Sequence, residues 1–332
     1  MTTIATSRHR PWHPDTGILL VLVGVAALFE ILGWAVTGES FVFNGQRLFI
    51  IVLQMAIVGI MAIAVTQIII MGGIDLSGGS IVGFAGLVAA SLAQTSDNAR
   101  AVFPGLTDLP VFIPVAAGLL TGAVLGFCNG AVIAITRIPP FIATLAMLVI
   151  ARGLARWYTS GKQVSFFIHD FGFFGAGANP IWIFIAVAIL FHVLLTRTLY
   201  GRRTYAIGSN EEAARLAGID VGRHKILVYS LAGLLYGLAA IVQTSRAETA
   251  QSGTGLMWEL DAISAAVIGG ASLMGGIGRI TGTVIGVMIL GVITSGFSFL
   301  GINVFYIALV KGVIIVAAVV ADQYRHKSKR RK

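Results

Sequence analysis

Catalysis needs side chains of matched chemistry brought to one place, so the titratable and nucleophilic residues come first. Six histidines are present: His9, His13, His169, His192, His224 and His326. Only His9 and His13 stand at His-x-x-x-His spacing, with Pro11 between them to break a shared helix face, and none of the six neighbours a cysteine, so the sequence offers no complete zinc site. The single cysteine, Cys128, sits in an apolar run and reads as packing. One cysteine also excludes a disulfide-rich fold. No Gly-x-x-x-x-Gly-Lys-Ser/Thr phosphate loop occurs, so the chain does not hydrolyse ATP by that route. Gly275-Gly276-Ile277-Gly278 lacks the strand context of a dinucleotide fingerprint. The chain reads as not an enzyme, with no cofactor or metal of its own.

Charges inside apolar runs are costly and often functional. Here they are Glu30, Asp75, Arg152, Arg156, Glu259, Asp261 and Lys311. An intramembrane ion pair accounts for each; coupling to a proton would need an acid near mid-membrane, and Glu30 alone approaches that depth. Uncharged polar groups could meet a polar solute. Gln54, Gln67 and Asn129 are the candidates for a translocation path, beside Thr66, Thr136, Thr144 and Asn303. Asp75, Ser77 and Ser80 surround a short helix start, where Asp75 or Ser77 could cap the first amides. The same turn could belong to a broken, moving helix that gates a path. Trp157, Tyr158 and Trp258 fall near the ends of apolar runs, and an interfacial aromatic belt explains them.

One polar segment, Gly201–Lys225, predicts a docking element. Asn210 caps a short helix over 211–217, with Glu211 and Glu212 in its first turn, and Gly218 ends it. A helix of about two turns is marginal alone and must dock on something. Docking on its own membrane body and docking into a groove of a cytoplasmic motor subunit both satisfy that need.

These residues must be held by membrane helices. Apolar residues make up 57% of the 332 and charged residues only 11%, against roughly 25% in a typical soluble domain. Mean hydropathy is +0.90. A soluble fold cannot cover itself with so few charges, and disorder is excluded by the same hydrophobicity. The net charge of +9 sits mainly between apolar runs and in the basic tail 322–332. Anionic headgroups suit that tail better than nucleic acid. The N-terminal run reads as a retained span: Pro11 and Pro14 interrupt the approach to it, and Gly17–Val36 is longer than a signal-peptide core.

A span needs about 20 residues. Ten stretches qualify: Gly17–Val36, Leu48–Ile70, Ser77–Gln94, Val111–Ile135, Pro139–Trp157, Pro180–Leu199, Ile226–Thr244, Leu256–Ser272, Ile280–Phe297 and Gly301–Ala321. The third and eighth are short and interrupted by Gly, Ser or acids. The expected fold is all-α, a polytopic membrane protein of about ten transmembrane helices. It forms a single transmembrane domain over 1–332. With both termini inside, the inner segments carry Arg8, Arg10, Arg137, Arg202, Arg203, Arg215, Arg223, Lys225, Arg279 and six tail bases, fifteen in all. The outer segments carry four, Arg47, Arg100, Lys162 and Arg246. That asymmetry places N- and C-termini in the cytoplasm. The Gly-rich turns at 74–80 and 275–283 share a style that fits an internal duplication and fits chance equally well. Gly118, Gly122 and Gly126 lie one turn apart on one face and predict tight helix–helix contact.

At the 201–225 loop the sequence resembles a known family. The matching pieces are GGIDLSGGS at 72–80, NGAVIAITRIPPFIATLAM at 129–147, GRRTYAIGSNEEAARLAGIDV at 201–221 and ELDAISAAVIGGASLMGGIGRITGTVIG at 259–286. Together they are similar to the membrane permease subunit of bacterial ABC importers of the ribose/xylose/galactose (monosaccharide) type. Two departures are Gly78, where the family commonly has Val, and Ala146, where it often has Gly. The resemblance implies a bacterial inner-membrane permease for a monosaccharide or polyol, with ATP and Mg on a partner ATPase. It also implies a periplasmic solute-binding protein and a second permease chain, identical or paralogous. By the same likeness, Asn210, Glu211, Glu212, Ala213, Ala214, Arg215 and Gly218 would receive the motion of the ATPase. The competing readings are an ion-coupled secondary transporter and an ABC permease for another small polar solute such as an amino acid. A membrane-embedded enzyme should show a polar catalytic cluster, and a channel a repeated selectivity-filter pattern; the sequence shows neither.

Overall fold

The structure is a computed structural model that describes residues 15–303 and isolated positions between 306 and 320. The predicted tenth span, Lys311 and the basic tail lie outside the described residues, apart from those isolated positions. Seven helices among the described residues are long and apolar enough to cross a membrane. They are α1 (Thr16–Val36), α2 (Gly45–Ile70), α4 (Phe112–Thr136), α5 (Pro140–Tyr158), α6 (Asn179–Arg197), α9 (Val221–Ala247) and α11 (Ile280–Phe299). Between them lie four shorter helices: α3 (Gly78–Leu92), α7 (Leu199–Ser209), α8 (Glu211–Leu216) and α10 (Trp258–Ile268). The remaining regular structure is a 3-10 turn at His169–Phe174 and a two-residue antiparallel pairing of β1 (Val164–Ser165) with β2 (Thr249–Ala250).

The two interrupted spans of the sequence are therefore half-length helices. At about 1.5 Å per residue, α3 covers ~22 Å and α10 ~16 Å, short of a hydrocarbon core of ~30 Å. Each is flanked by unwound backbone, 72–77 before α3 and 269–279 after α10. Unwound backbone survives at membrane depth only where protein surrounds it. Asp75 and Ser77 are accordingly buried, as are Ala271 and Ser272. The segment ahead of α8 also differs from expectation. It is a helix, α7, which packs on α6 and α2.

The central helices are α2 and α9. Every residue from Ala56 to Ile70 is buried, as expected of a helix apolar all round. Around them the packing repeats. α3 packs on α9 and α4, while α10 packs on α2 and α11; α4 packs on α9 as α11 packs on α2. The exchange of α2–α3–α4 for α9–α10–α11 is a pseudo-symmetric arrangement, in a register different from the likeness of the two Gly-rich turns. α1, α5 and α6 stand outside and present Leu20, Ile31, Val149, Ile150, Trp182 and Ile189 outward.

The expected glycine contact is present. α4 meets α9 through Gly118, Gly122 and Gly126, and a Cβ at Gly122 would fall on the Gly233 carbonyl. Gly233 and Gly237 supply the matching flat face on α9. Backbones approach this closely only where neither helix carries a side chain.

The bundle has two distinct ends. At one, α1 begins beside α11: Arg279 pairs with Asp15 at 3.6 Å and Thr281 donates to Asp15 at 2.8 Å. α7 and α8 lie at that same end. At the other, the loops 93–111, 159–178 and 248–257 gather around the β1–β2 pairing, and Gln94 bridges to Phe167. Glu30 belongs to that end. It accepts from Ser40 Oγ and from the Phe41 and Val42 amides, so it closes the α1–α2 turn. That is a structural use of the acid.

Candidate functional site

The unwound 72–77 stretch carries a buried polar cluster. Asp75 Oδ1 accepts from the Ser77 amide at 2.8 Å and from the Ser77 hydroxyl at 2.6 Å. Its Oδ2 accepts from the Tyr236 hydroxyl at 3.0 Å. Asn129 on α4 donates to Ser77 Oγ at 2.9 Å, and Ser80 donates to the Ser77 carbonyl at 2.7 Å. Thr144 on α5 donates to the Ile74 carbonyl at 3.2 Å. Asp75 thus turns the chain at Ser77, and neither side chain caps the first amides of α3. Three helices, α4, α5 and α9, hold the turn in place through polar side chains.

Glycines make the room. A Cβ at Gly73 would lie 2.7 Å from the Tyr229 hydroxyl, and one at Gly78 would lie 2.9 Å from the Tyr236 ring. The open space at Gly78 is what lets Tyr236 reach Asp75. Gly79 faces the Gly255 carbonyl and Glu259, so α3 touches the loop before α10 backbone to backbone. Arg152 of α5 ties down the same loop, donating to the Ser252 and Thr254 carbonyls at 2.5 and 2.8 Å.

The second feature is the α7–α8 arm. Asn210 accepts from the Ala213 amide at 2.9 Å and caps α8 as expected. Gly218 takes φ +83°, and the Ile219 amide returns to the Ala214 carbonyl, so the helix ends at a glycine in the left-handed region. Glu211 pairs with Arg215 at 3.1 Å within α8 and with Lys225 of α9 at 2.8 Å. Surface pairs of this kind contribute ~0.2–1 kcal/mol each. Ala214 is the buried contact of α8, whereas Glu212, Ala213, Arg215, Leu216 and Ala217 face outward. Leu216 is 84% exposed, an apolar tip on an otherwise charged helix.

The arm and the two unwound stretches meet at one point. Gly276 donates its amide to the Ile70 carbonyl at 2.8 Å, joining the 269–279 stretch to the end of α2. Gly208 of α7 lies against both: a Cβ there would overlap the Ile70 carbonyl and come within 2.7 Å of the Gly276 nitrogen. Gly275 and Gly276 have φ of +83° and +72°, conformations that favour glycine. Tyr205 of α7 donates to the Gly278 carbonyl at 2.8 Å, and Tyr200 donates to Gln67. Burial pushes the Tyr200 and Tyr205 phenols above their ordinary range, so both act as neutral donors.

The predicted residues are therefore divided. Asp75, Ser77, Ser80 and Asn129 form one cluster. Gln67 is fully buried and anchors α7 through Tyr200. Gln54 lies apart, on the exposed face of α2 toward the loop end. The residues missed from the sequence are Tyr229 and Tyr236, Gly208, and the glycine face of α9. Tyr236 sits 161 positions from Asp75, and no local pattern announces the pairing.

Bilayer-length helices with polar, broken helices inside the bundle define a multi-span membrane transport protein. A family model described as branched-chain amino acid transport system / permease component matches residues 47–319. The chain is 39% identical to the ribose import permease protein RbsC of Escherichia coli (strain K12), over 97% of this chain and 99% of that one. It is 41% identical to RbsC of Bacillus subtilis (strain 168), over 81% and 82% of the two chains. It is 36% identical to the galactose/methyl galactoside import permease protein MglC of Escherichia coli (strain K12), over 82% and 84%. No solved structure matches the chain. The chain belongs to the family of membrane permease subunits of bacterial ABC importers of the ribose/galactose type.

Proposed function

We propose that this permease carries a monosaccharide or related polyol from periplasm to cytoplasm, driven by ATP hydrolysed on a separate ABC ATPase. The observation that carries the reading is whole-chain likeness to the ribose import permease of Escherichia coli. Its partners are that ATPase, a periplasmic solute-binding protein and a second permease chain. The chain lies in the inner membrane with about ten spans. The α7–α8 end and both termini face the cytoplasm, in keeping with the basic residues Arg202, Arg203, Arg215, Arg223 and Arg279 at that end. The comparisons lend no support to an ion-coupled transporter.

The mechanism follows from the arm. The exposed face of α8, from Glu212 to Ala217, enters a groove of the ATPase, with Asn210 and Gly218 fixing its ends. Motion of α8 passes to Gly208 at the adjoining end of α7, and from there to the Ile70 carbonyl and the Gly276 turn. The unwound stretches 72–77 and 269–279 are the parts free to change conformation, because they lack the continuous hydrogen bonding of a helix. Asp75, Ser77 and Ser80 then act as a gating turn and Asn129 as its latch. ATP binding shifts the pair of permeases between inward-open and outward-open states only if those contacts differ in energy between the states. Uptake of radiolabelled ribose, galactose and leucine by proteoliposomes holding the complete importer tests the reading. Import of an aldose that requires ATP and the binding protein is expected. Import of leucine alone would transfer the reading to amino acids, and import without ATP would refute it.

A further inference from the structure

Toward the loop end, the middle of α2, the outer end of α9 and the start of α10 border an open cavity of about 190 Å³. Gln54, Gln243, Arg246, Trp258 and Asp261 line it, over an apolar floor of Met55 and Ile57. At ~30 Å³ per water, the space equals roughly six waters, the scale of one sugar ring. Each Gln offers an acceptor and two donors, Arg246 a planar fork of donors, and Asp261 acceptors only. The Trp258 indole adds a flat apolar face, matched to the C–H face of a pyranose or furanose. Two neutral amides, the donors of Arg246, the acceptors of Asp261 and an aromatic plate match the hydroxyls and C–H face of a polyhydroxylated ring.

Depth gives a second, independent indication. Gln54 stands nine residues into α2, ~13 Å along the helix from its start, and yet it is exposed. A Gln turned toward hydrocarbon at that depth is unfavourable. This face of the bundle therefore borders water or protein, as the wall of a path does. The cavity lies on the opposite side of the bundle from the α7–α8 arm, where a solute delivered to the outer face would arrive.

From these observations we infer that this cavity is the outer station of the sugar path, with Trp258 as stacking platform and Gln54 and Gln243 as hydroxyl-reading groups. The inference rests on the sugar reading of the function. It adds a site that discriminates sugars weakly and passes them toward the 72–77 turn.

The test uses the complete importer in proteoliposomes and the aldose that the wild type imports, from a panel of unmodified pentoses and hexoses. The double variant Gln54→Leu/Gln243→Leu and Trp258→Ala should each lower uptake about tenfold or more. ATPase activity without solute should stay at the wild-type level, and Trp258→Phe should recover most of the uptake. Labelling provides the second readout, in a Cys128→Ala background that removes the only cysteine. Gln54→Cys should react with a membrane-impermeant thiol reagent from outside, and the sugar-loaded binding protein should slow that reaction. Wild-type uptake by the variants, or a Gln54→Cys thiol that is unreactive or unprotected, overturns the station. A wild-type importer that moves no aldose overturns the sugar reading itself, and the two failures are thereby distinct.

Discussion

Gly208→Ala is the sharpest perturbation of the arm, because the new methyl meets main chain and not a side chain that can rotate away. Its Cβ would overlap the Ile70 carbonyl and sit 2.7 Å from the Gly276 nitrogen, where ordinary contact begins at 3.4 Å. Relief requires the two backbones to part, which breaks the 2.8 Å bond from Gly276 to Ile70. Overpacking costs ~1–3 kcal/mol and loss of a buried hydrogen bond ~1–3 kcal/mol. Alanine returns about 1 kcal/mol, since position 208 is helical and glycine is the poorer helix former. The net is a loss of ~1–5 kcal/mol, concentrated where α7 meets both unwound stretches. The assay compares uptake with ATPase activity in the complete importer, and thermal unfolding of the purified permease in detergent. Assembly and basal hydrolysis should persist, while uptake falls and solute-loaded binding protein no longer stimulates hydrolysis. Gly222→Ala is the control: its Cβ meets only Asp220 Oδ1 at 3.6 Å and Ala134 at 3.8 Å, so it should match wild type. If Gly208→Ala keeps wild-type uptake and an unchanged melting temperature, the glycine node does not transmit motion.

Three further outcomes are expected. Ala214→Pro removes the bond from the Ala214 amide to the Asn210 carbonyl, at a cost of ~3 kcal/mol that a six-residue helix cannot absorb; membrane insertion should survive, and normal uptake with normal ATPase stimulation would remove the coupling role. Asn210→Ala loses only the cap, ~1 kcal/mol, so its uptake defect should be smaller than that of Ala214→Pro in side-by-side assays. Tyr236→Phe deletes the donor to Asp75 and should lower stability by ~1–3 kcal/mol, read as a fall in melting temperature; an unchanged melting temperature would mean that Asp75 does not depend on α9.

How much of this was legible depended on the range of the signal. The long spans were readable because twenty apolar residues in a row have few other destinations. α8 was readable because its cap, its acids and its closing glycine all lie within nine positions, 210 to 218. The glycine stripe of α4 was visible, but its partner Gly233 and Gly237 was not, since a flat face says nothing about what meets it. α10 looked like a weak span because hydropathy cannot tell a short helix plus buried coil from an interrupted long helix. Gly208 was hidden within a polar segment read as a loop. An interfacial belt accounts for Trp258 from sequence alone, because nothing local shows that the start of α10 faces α2 and α9 across a cavity.

The two kinds of glycine contact divide the bundle into what can move and what cannot. Along α4 and α9 the close approach runs from Gly118 to Gly130 on one helix and from Ile226 to Ile241 on the other. Sliding these helices by one residue would drive side chains into backbone along the whole seam, so the pair is expected to behave as one rigid body. Around Gly208, Gly275 and Gly276 the approach is confined to one short crossing, and the segments beyond it are unwound. Displacing that crossing disturbs the Gly276–Ile70 bond and, through α7, the Tyr205–Gly278 bond, a cost of a few kcal/mol. A motor pushing on α8 will therefore spend its displacement where resistance is least, on the 72–77 and 269–279 stretches against a fixed α4–α9 wall. Asn129 belongs to the wall and Ser77 to the moving turn, so their 2.9 Å bond lies on the boundary between them. Breaking it with Asn129→Leu should loosen the turn without loosening the wall. Hydrogen exchange should rise over 72–80 and stay low over 118–130, and a rise spread evenly over both would refute the division.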